Sequence, residues 1–320
     1  MRGAGFYEKN REITVKAQEN DDYDFKNWTE GEIEVSTEES YTFTVTENRV
    51  LAANFEEEGD FGLICPDGSD AEWFPYDIDG VEFNMRLMPG SLAFPTDIFY
   101  YDDTATVENA FWIAETEVTY ELWHKVYSWA TSREENEYYF ANDGKEGSHG
   151  NTGQAPTEKK NQPVTKICWF DAAIWCNALT EYCNENNGTD LKCYYEYNGE
   201  IFRNAQDADW IYCYWREDAK GFRLPTSIEW EAAAWYWSNS SDGAKEVGQK
   251  PSYGNGLGLY DMSGNVEEWC DYWEELFIEH QYFRGGSWCD KANNLQIGLR
   301  KQLRRDESGI YLGFRLAKTE

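Results

Sequence analysis

A frame of glycine and aromatic residues near the C-terminal end constrains the fold of this chain more than any other stretch. Its fixed points are the sequences GNV at 264–266, GGSW at 285–288 and GFR at 313–315. Glycine allows positive φ and close approach of the backbone, while Trp and Phe supply large apolar groups to a core. The polar run between these points has neither helical nor strand periodicity. A rigid frame around an irregular polar segment is typical of proteins that present binding residues on loops.

The net charge of the chain limits its partners. The 320 residues include 28 Lys and Arg against 60 Asp and Glu, a formal charge of −32. Such a surface repels phosphate groups, so we expect no nucleic-acid partner and no direct binding to anionic membranes. Residues 281–320 are the exception, with eight basic and four acidic residues. The arginines that we expect to be internal ion-pair partners are Arg284, Arg300 and Arg315. The basic residues that we expect to be more available for contacts are Lys301, Arg304 and Arg305.

The cysteines do not form a metal-binding pattern. The chain has eight Cys and three His but no C-x-x-C sequence, so the spacing typical of zinc ligands is absent. At this length we expect the cysteines to be buried small apolar residues rather than a disulfide framework. No apolar run approaches the length of a membrane span, and no signal-peptide pattern begins at Met1.

The N-terminal stretch alternates apolar and polar side chains, which predicts β-strands. The sequences YDFKNW, YTFTV and RVLAANFE carry this pattern. They resemble the divergent internalin-B-type repeat, a small all-β module whose role in its family is that of a spacer or stalk. We therefore predict three regions, which are a β repeat module at 1–57, an acidic linker at 58–79 and a second domain at 80–320.

Helices of the second domain begin at recognisable caps. Thr119 is the predicted N-cap of one helix, because Leu122 follows it and begins a series of apolar residues at helical spacing. Thr226 and Glu229 form the capping-box pattern of another helix, in which each side chain accepts a hydrogen bond from the other residue's backbone N–H. Between them, the apolar spacing around Trp175 predicts a further amphipathic helix.

A series of short sequences in this domain resembles the formylglycine-generating-enzyme (sulfatase-modifying factor) family. In chain order they are ETEVT, QPV, DAAIWCN, FRLPT, GLYDMSGNV, GGSW and GFR. One such sequence would be a weak signal, whereas the ordered set is specific. The resemblance implies an α+β domain with the C-type lectin fold of the formylglycine-generating-enzyme type, preceded here by the small all-β repeat module.

The oxidase activity of that family requires two cysteines after the GGSW sequence, which bind copper and carry out thiol chemistry on a substrate cysteine. By spacing from Gly285, these positions fall on Asp290 and Leu295 in this chain. Neither residue can form a thiolate nucleophile, and Cys289 is one residue out of register. Because function depends on the site rather than on the fold, we predict a protein that is not an enzyme and binds no copper. An oxidase relative is the alternative.

The same resemblance implies a structural calcium ion at the GLYDMSGNV loop. The matching positions are Asp261, Gly264, Val266 and Glu268. Carboxylate and main-chain carbonyl oxygens are the ligands that calcium prefers in proteins. The alternative is that Asp261 and Glu268 only cap the turn.

A second resemblance is to the variable proteins of diversity-generating retroelements. Their C-terminal segment begins near a GGSW sequence and ends at GFRLA, with further frame positions that fall here on Ala292, Leu295 and Arg300. The resemblance implies a variable segment at about residues 271–315 that binds an unknown protein or glycan. It also implies display at the cell surface or in the periplasm of a bacterium, through a signal or lipid anchor that is not present in this sequence.

The candidate ligand-binding residues lie in this segment and have chemically mixed side chains without a period, as a selected binding surface would. They are Cys289, Asp290, Lys291, Asn293, Asn294, Leu299, Lys301, Gln302, Leu303, Arg304, Glu307, Ile310 and Tyr311. The four apolar candidates favour a binding role if they are exposed, because exposed apolar clusters usually mark a contact surface. They are Leu299, Leu303, Ile310 and Tyr311. If buried, they would belong to the core. An undiversified carbohydrate-binding surface protein is a further alternative.

Overall fold

The chain forms two compact units in the computed structural model, Met1–Leu63 and Ile64–Glu320. The structure describes residues 9–17, 23–31, 33–38, 40–46, 49–57, 73–88, 90–96, 103–206, 213–216, 218–234, 258–271, 279–290 and 299–320. Within these ranges no helix has both the length and the apolar character that a membrane crossing requires.

The N-terminal unit is built from short antiparallel strands, which confirms the strands predicted from the alternating sequence. They are β1 (Glu12–Lys16), β2 (Tyr23–Glu30), β3 (Ile33–Ser36), β4 (Ser40–Thr44) and β5 (Ala52–Glu57). Strand β1 pairs with β4, and β2 lies between β3 and β5. Val15, Ala17 and Trp28 are buried together and form the small core of this unit.

The second unit contains the helices of the described chain. They are α1 (Tyr120–Thr131), α2 (Trp169–Asn186) and α3 (Ser227–Ala234). Thr119 caps α1 as predicted, because its Oγ1 accepts a hydrogen bond from the N–H of Leu122 at 3.2 Å. Helix α2 was predicted to be amphipathic but is buried through most of its length. Its polar residues Asp171, Asn177 and Thr180 are buried with the apolar ones, whereas the last two residues of the helix are exposed.

The larger sheet of this unit has five strands. They are β6 (Trp73–Ile78), β7 (Val81–Met88), β10 (Phe111–Ala114), β16 (Phe222–Arg223) and β21 (Ala317–Thr319). Strand β21 lies between β16 and β10, so it joins segments that are distant in the chain. Strand β6 pairs with β7 along its whole length. Because β6 begins at Trp73 and belongs to this sheet, the second domain begins before residue 80, where it was predicted to start. The rest of the predicted linker, residues 58–72, lies outside the described residues.

A four-stranded sheet carries the glycine and aromatic frame. Its strands are β17 (Glu267–Trp269), β18 (His280–Arg284), β19 (Lys301–Arg304) and β20 (Leu312–Gly313). Their order is β19-β18-β17-β20, and β20 is parallel to β17 while the other pairs are antiparallel. Smaller sheets complete the unit and comprise β8 (Leu92–Thr96) with β9 (Asp103–Val107), β11 (Lys145–Glu146) with β12 (Val164–Thr165), and β13 (Tyr195–Tyr197) with β14 (Glu200–Ile201) and β15 (Cys213–Trp215).

Aromatic side chains at the centre of the core link the helices to the frame. The indole rings of Trp123 on α1 and Trp175 on α2 are stacked, with centroids 5.8 Å apart and planes 6° apart. Phe314 of the GFR sequence contacts both rings edge-on, at 6.1 and 5.5 Å. All three side chains are fully buried. Because buried aromatic residues dominate core energetics, this cluster fixes the position of the GFR sequence.

Most of the described cysteines are core residues, as predicted. The buried free cysteines are Cys168, Cys176, Cys183, Cys193 and Cys270. Burial raises the pKa of the Cys176 and Cys270 thiols well above the usual range, which keeps them protonated. Cys289 differs because it is exposed. Cys65 and the side chain of Cys213 lie outside the described part of the structure.

The capping box at the start of α3 is present and allows a test. Thr226 Oγ1 accepts from the N–H of Glu229 at 3.1 Å, and Glu229 Oε2 accepts from the N–H of Thr226 at 2.8 Å. We expect Thr226→Ala to lower the free energy of unfolding by about 1 kcal/mol, because a helix N–H loses its partner. Urea denaturation checks this value, with Lys159→Ala at an exposed position as the control. An unchanged free energy would show that water replaces the cap.

Candidate ligand-binding surface

Two glycines of the frame lie where a side chain does not fit. Gly285 has a φ of +87°, and a Cβ there would lie 3.2 Å from the ring of Trp230. At Gly313 a Cβ would lie 2.5 Å from the carbonyl oxygen of Val164, which is a clash. Glycine is therefore required at both positions. The segment between them begins and ends at fixed points of the fold.

A buried ion pair joins the frame to the rest of the domain. Arg315 donates from Nε to Oε2 of Glu268 at 2.6 Å and from Nη2 to Oε1 at 2.7 Å. Oε2 also accepts from Trp230 Nε1 at 2.7 Å. Arg315 further donates to the carbonyl oxygens of Ala114 and Tyr260, at 3.1 and 2.9 Å. Both charged side chains are fully buried, and the internal pairing predicted for Arg315 is confirmed.

The other two arginines that were predicted to be internal differ from each other. Arg284 donates to buried Glu231 at 2.8 Å, as predicted. Arg300 is exposed, and its guanidinium lies 4.7 Å from the ring centroid of Tyr282. Because Arg300 is exposed, the prediction that it lies in the interior is wrong, and no described carboxylate forms a salt bridge with it. A cation over an aromatic face is held by the ring quadrupole instead.

Arg304 and Arg305 were predicted to be available for contacts. Arg304 is exposed and pairs with the equally exposed Asp306 at 2.9 Å, an arrangement that contributes little to stability. Arg305 is buried, with its guanidinium 4.8 Å from the ring centroid of Trp169. The prediction is therefore wrong for Arg305, because it packs against the core side of the segment. Arg304 remains at the surface.

Glu267 on β17 brings three stretches of the predicted variable segment together. Its carboxylate pairs with Lys301 Nζ of β19 at 2.6 Å, and this Nζ lies 3.3 Å from the carboxylate of Asp290. Asp290 accepts from the N–H of Ser287 at 3.0 Å, and the Glu267 N–H donates to the carbonyl oxygen of Tyr311 at 2.8 Å. Burial raises the pKa of Glu267, and Lys301 opposes this shift. Lys301, predicted to be available, is thus paired.

The candidate ligand-binding residues fall into three groups. The exposed residues, which we call the ligand surface, are Cys289, Gln302, Arg304, Glu307, Ile310 and Tyr311. The partly buried residues are Asp290, Leu299, Lys301 and Leu303. The candidates outside the described residues are Lys291, Asn293 and Asn294.

The apolar candidates divide in the same way. Ile310 and Tyr311 are 39% and 37% exposed, so they meet the condition set for a contact surface. Leu303 packs against the core, because side chains alternate along β19. Leu299 is half-buried. The predicted segment of about residues 271–315 is also buried at Asp271 and at residues 312–315, and its described exposed residues lie at 279–280, at Cys289 and within 300–311.

Trp288, inside this segment, and His149, outside it, were not predicted as site residues. Trp288 is half-buried, with its ring centroid 5.8 Å from that of His149. The Trp288 Nε1 is buried, and no described residue accepts its hydrogen. His149 belongs to the polar stretch between α1 and α2, whose sequence indicates only a surface excursion. No periodic signal could have placed it there, because the contact joins residues distant in the chain.

The predicted calcium loop has an unusual backbone. Asp261, Gly264 and Asn265 have φ of +57°, +98° and +59°, a region that Gly, Asn and Asp tolerate best. In the chain as far as it is described, no three His, Cys, Asp or Glu side chains are grouped so that they could hold a metal ion. A cation at this loop would therefore need main-chain oxygens, and the predicted set takes these from Gly264 and Val266. The calcium site stays a prediction.

Glu117, in the ETEVT sequence, was missed as a site residue. Its side chain is 1% exposed, and neither carboxylate oxygen accepts a hydrogen bond from another described residue. Burial raises the pKa of Glu117 well above its usual range, and the negative charges of Asp261 and Glu268 raise it further. The sequence holds no signal for this proximity, because the neighbours come from a loop far along the chain.

The architecture and the frame define the class of protein. The second unit is an α+β domain with the C-type lectin fold of the formylglycine-generating-enzyme type, as predicted. The family model of the sulfatase-modifying factor enzyme 1-like domain matches residues 82–240 and 234–320. The chain therefore belongs to the sulfatase-modifying factor enzyme 1-like family. The model of the divergent InlB B-repeat domain matches residues 1–59.

Similar proteins include both structures and sequences. The Treponema denticola variable protein 1 is 28% identical, with 78% of this chain and 99% of that chain covered at a TM-score of 0.59. This match confirms the resemblance to variable proteins. The chaperone protein LppX of Paenibacillus barcinonensis is 28% identical over 75% of this chain and 91% of that protein. The inactive C-alpha-formylglycine-generating enzyme 2 of Mus musculus is 30% identical over 34% of this chain and 45% of that protein.

Asp271 is a buried carboxylate where β17 meets the rest of the core. It accepts from Trp169 Nε1 at 3.0 Å and from the Tyr195 hydroxyl at 2.8 Å. Burial raises the pKa of Asp271 to about 8. The native state therefore keeps a proton that the unfolded state loses above its ordinary carboxyl pKa of about 4. The contribution of protonated Asp271 to the free energy of unfolding is therefore fully present at low pH and is lost as the pH rises through about 8.

We expect Asp271→Asn to remove this pH dependence, because the amide resembles the protonated carboxyl and cannot titrate. In the unchanged protein the free energy of unfolding should fall between about pH 5 and pH 8, and it should fall less in the variant. Urea denaturation followed by Trp fluorescence at both pH values measures the difference. Asp306→Asn is the control, because Arg304 lowers the pKa of that exposed carboxyl. Equal slopes for Asp271→Asn and the unchanged protein would contradict the prediction.

Proposed function

We propose that this chain is a non-catalytic ligand-binding protein whose ligand surface recognises a protein or a glycan. One observation carries the proposal. Asp290 before β19, Lys301 within it and Tyr311 after it meet around Glu267. They lie on a sheet whose ends are fixed by buried frame residues. Side chains on such a support lose little freedom when a ligand binds, and this preorganisation favours affinity.

The composition of the ligand surface suits recognition. It combines the exposed aromatic ring of Tyr311 and the exposed Ile310 with Arg304 and Gln302. Tyr and Arg are the residue types that contribute most at binding hot spots, and Tyr offers a large contact area at low entropic cost. The charge of Arg304 is balanced by Asp306, so we do not expect a strongly anionic ligand.

A non-catalytic role is supported by the chemistry of the segment. Asp290, at one of the positions where the family's oxidases have a catalytic cysteine, accepts from both the N–H and the Oγ of Ser287 and so closes the turn after GGSW. A carboxylate in this role offers no thiol for copper or for a substrate cysteine. Leu295, at the other position, lies outside the described residues. We therefore expect no copper.

We further propose that the segment is diversified by a retroelement and that the protein acts at the bacterial cell surface or in the periplasm. The similarity to the Treponema denticola variable protein 1 supports both statements. The irregular, exposed residues between two fixed ends also suit a segment that must change without disturbing the fold.

A structural calcium ion is also proposed at the loop of Asp261, Gly264, Val266 and Glu268. The positive φ values of this loop and the carboxylates beside it support an oxygen-ligated cation, which is the kind of site calcium prefers. Glu268 has only part of its carboxylate left for such an ion, because Arg315 and Trp230 donate to both oxygens.

The ligand surface can be tested with a paired substitution. We expect Tyr311→Ala combined with Arg304→Ala to abolish binding and to leave the melting temperature nearly unchanged, because both side chains are exposed. Ligands would be sought on a glycan array and in a display library of bacterial and host surface proteins. The control is Tyr139→Ala, which removes a Tyr that is 45% exposed but lies outside the segment.

Each outcome of this screen has a defined meaning. Ligand retention by the double variant, or a large fall in its melting temperature, would contradict the assignment of the ligand surface. Retention on glycans that requires calcium would favour the undiversified carbohydrate-binding alternative if the segment also proves invariant.

Diversification can be tested in the source population. Deep sequencing of the DNA that encodes residues 271–320 should find substitutions confined to adenine-bearing codons, with a near-identical template repeat and a reverse transcriptase gene nearby. We expect changes at the codons of the ligand surface and none at buried Arg315. An invariant segment without a template would reject diversification and leave a fixed binding role.

A further inference from the structure

A cleft with a volume of about 340 Å³ lies where β7 and the end of β10 meet the start of α1. Its apolar lining includes the half-buried ring of Phe83 and the buried side chain of Leu122. Glu82, Asn84 and Glu115 line it with polar groups, and the first two are exposed. Sites for small molecules combine apolar walls with a few polar groups in this way.

The charge of the cleft is negative. None of its lining residues is Lys or Arg, whereas Glu82 and Glu115 contribute carboxylates. Glu82 on β7 lies directly opposite Asp77 on β6, and both side chains are exposed. Like charges opposite each other on paired strands are destabilising. A cation beside Glu82 would relieve this repulsion.

The lysines on and beside α1 do not neutralise the cleft. Lys125 pairs with Asp79 at 2.6 Å, and Lys160 pairs with Glu121 at 2.8 Å. Among the described residues, none forms a salt bridge with Glu82 or Glu115. The cleft therefore keeps its negative field, which favours a cationic ligand.

The carboxylate of Glu115 is held in place before any ligand binds. Asn84 donates from Nδ2 to Oε2 of Glu115 at 2.8 Å, and the N–H of Glu115 donates to the carbonyl oxygen of Asn84 at 3.0 Å. Oε1 of Glu115 accepts from no described residue. One oxygen is thus fixed by the protein, and the other is available to an N–H donor of a ligand, an arrangement that limits the entropy lost on binding.

The start of α1 does not make the cleft an anion site. A bare helix N-terminus binds anions through its free N–H groups. Here the N–H of Leu122 donates to Thr119 Oγ1 at 3.2 Å, while those of Tyr120 and Glu121 donate to main-chain carbonyl oxygens at 2.8 and 3.0 Å. These donors are occupied, so an anion would meet carboxylates without compensating hydrogen bonds.

Glu117 also lines the cleft but does not contribute to this charge. Its side chain is 1% exposed, and burial raises the pKa of Glu117 well above its usual range, which favours the neutral acid. Its two oxygens are enclosed by the protein. Recognition of a cation therefore falls to Glu82 and Glu115.

We propose that this cleft binds an alkylammonium group, with the ammonium at Glu82 and Glu115 and the alkyl chain against Phe83 and Leu122. The group would belong to a free amine or to a lysine side chain. The site is separate from the ligand surface, because none of the residues that line the cleft belongs to that surface.

Three probes with the same alkyl chain test the chemistry, namely butylammonium, butanol and butyrate. They would be titrated into the full chain by saturation-transfer NMR at about 0.15 M sodium chloride, which screens long-range attraction to the acidic surface. We expect saturable binding of butylammonium alone. It should bind at least about tenfold more tightly than methylammonium, because each buried methylene contributes about fourfold. Equal binding of methylammonium, or of butanol, would overturn the proposal.

A charge-matched pair of double variants tests the location. Glu82→Gln combined with Glu115→Gln should weaken butylammonium binding at least about fivefold, the upper range for a pair of exposed opposite charges. Gln keeps an oxygen that can accept from Asn84, so the melting temperature should change little. The control, Glu134→Gln combined with Glu200→Gln, removes two exposed carboxylates outside the cleft and should bind normally.

Unchanged affinity in the cleft variant, or equal weakening in the control, would overturn the proposal, because binding would then follow the overall charge. If the cleft double variant does not fold, Glu82→Gln alone replaces it and should also bind more weakly than the unchanged protein.

A further titration distinguishes the two sources of the group. A short peptide with one internal lysine would be compared with the same peptide carrying norleucine. Tighter binding by the lysine peptide than by butylammonium supports a lysine side chain, and weaker binding supports a free amine. The double variant Tyr311→Ala and Arg304→Ala should bind butylammonium normally, so failure of the ligand surface is scored separately. Loss of butylammonium binding in that variant would overturn the cleft as the site.

Discussion

The buried ion pair between Arg315 and Glu268 is the interaction on which the rest of this domain depends. Four further groups converge on it, since Trp230 donates to Glu268 and three carbonyl oxygens accept from Arg315. Two charges without access to water are tolerated only with such complete hydrogen bonding. The pair thereby holds β17, α3, the end of β10 and the loop around Tyr260 in one arrangement, and removal of either partner would leave an uncompensated buried charge.

The two adjacent glutamates on β17 make different contacts, one with the buried frame and one with the predicted variable segment. Side chains alternate along a strand, so Glu268 points to Arg315 while Glu267 points to Lys301 and the ligand surface. The same short strand therefore joins the buried frame to the segment that is proposed to vary. The proposed calcium ion would lie on the Glu268 side of this strand.

Local chemistry could be predicted well where it depends on neighbours in the chain. Thr119 and the Thr226–Glu229 pair cap helices as their sequences indicate, because caps involve residues only three positions apart. The roles of Arg284 and Arg315 were also predicted. The roles of Arg300 and Arg305 were not predicted. Arg300 lies over the ring of Tyr282, and Arg305 packs on Trp169 in the core. Neither contact can be recognised from spacing along the chain.

The sequence by itself determined the two-part organisation, the family and fold, the glycine and aromatic frame, and the absence of a thiol at Asp290, since these follow from ordered motifs and residue chemistry. Only the tertiary structure decided which candidates are exposed, that Glu267 gathers three stretches of the segment, and that Glu117 lies buried beside Asp261 and Glu268. The physical reason is that burial and electrostatic proximity arise between residues far apart in the chain, where no periodic pattern records them.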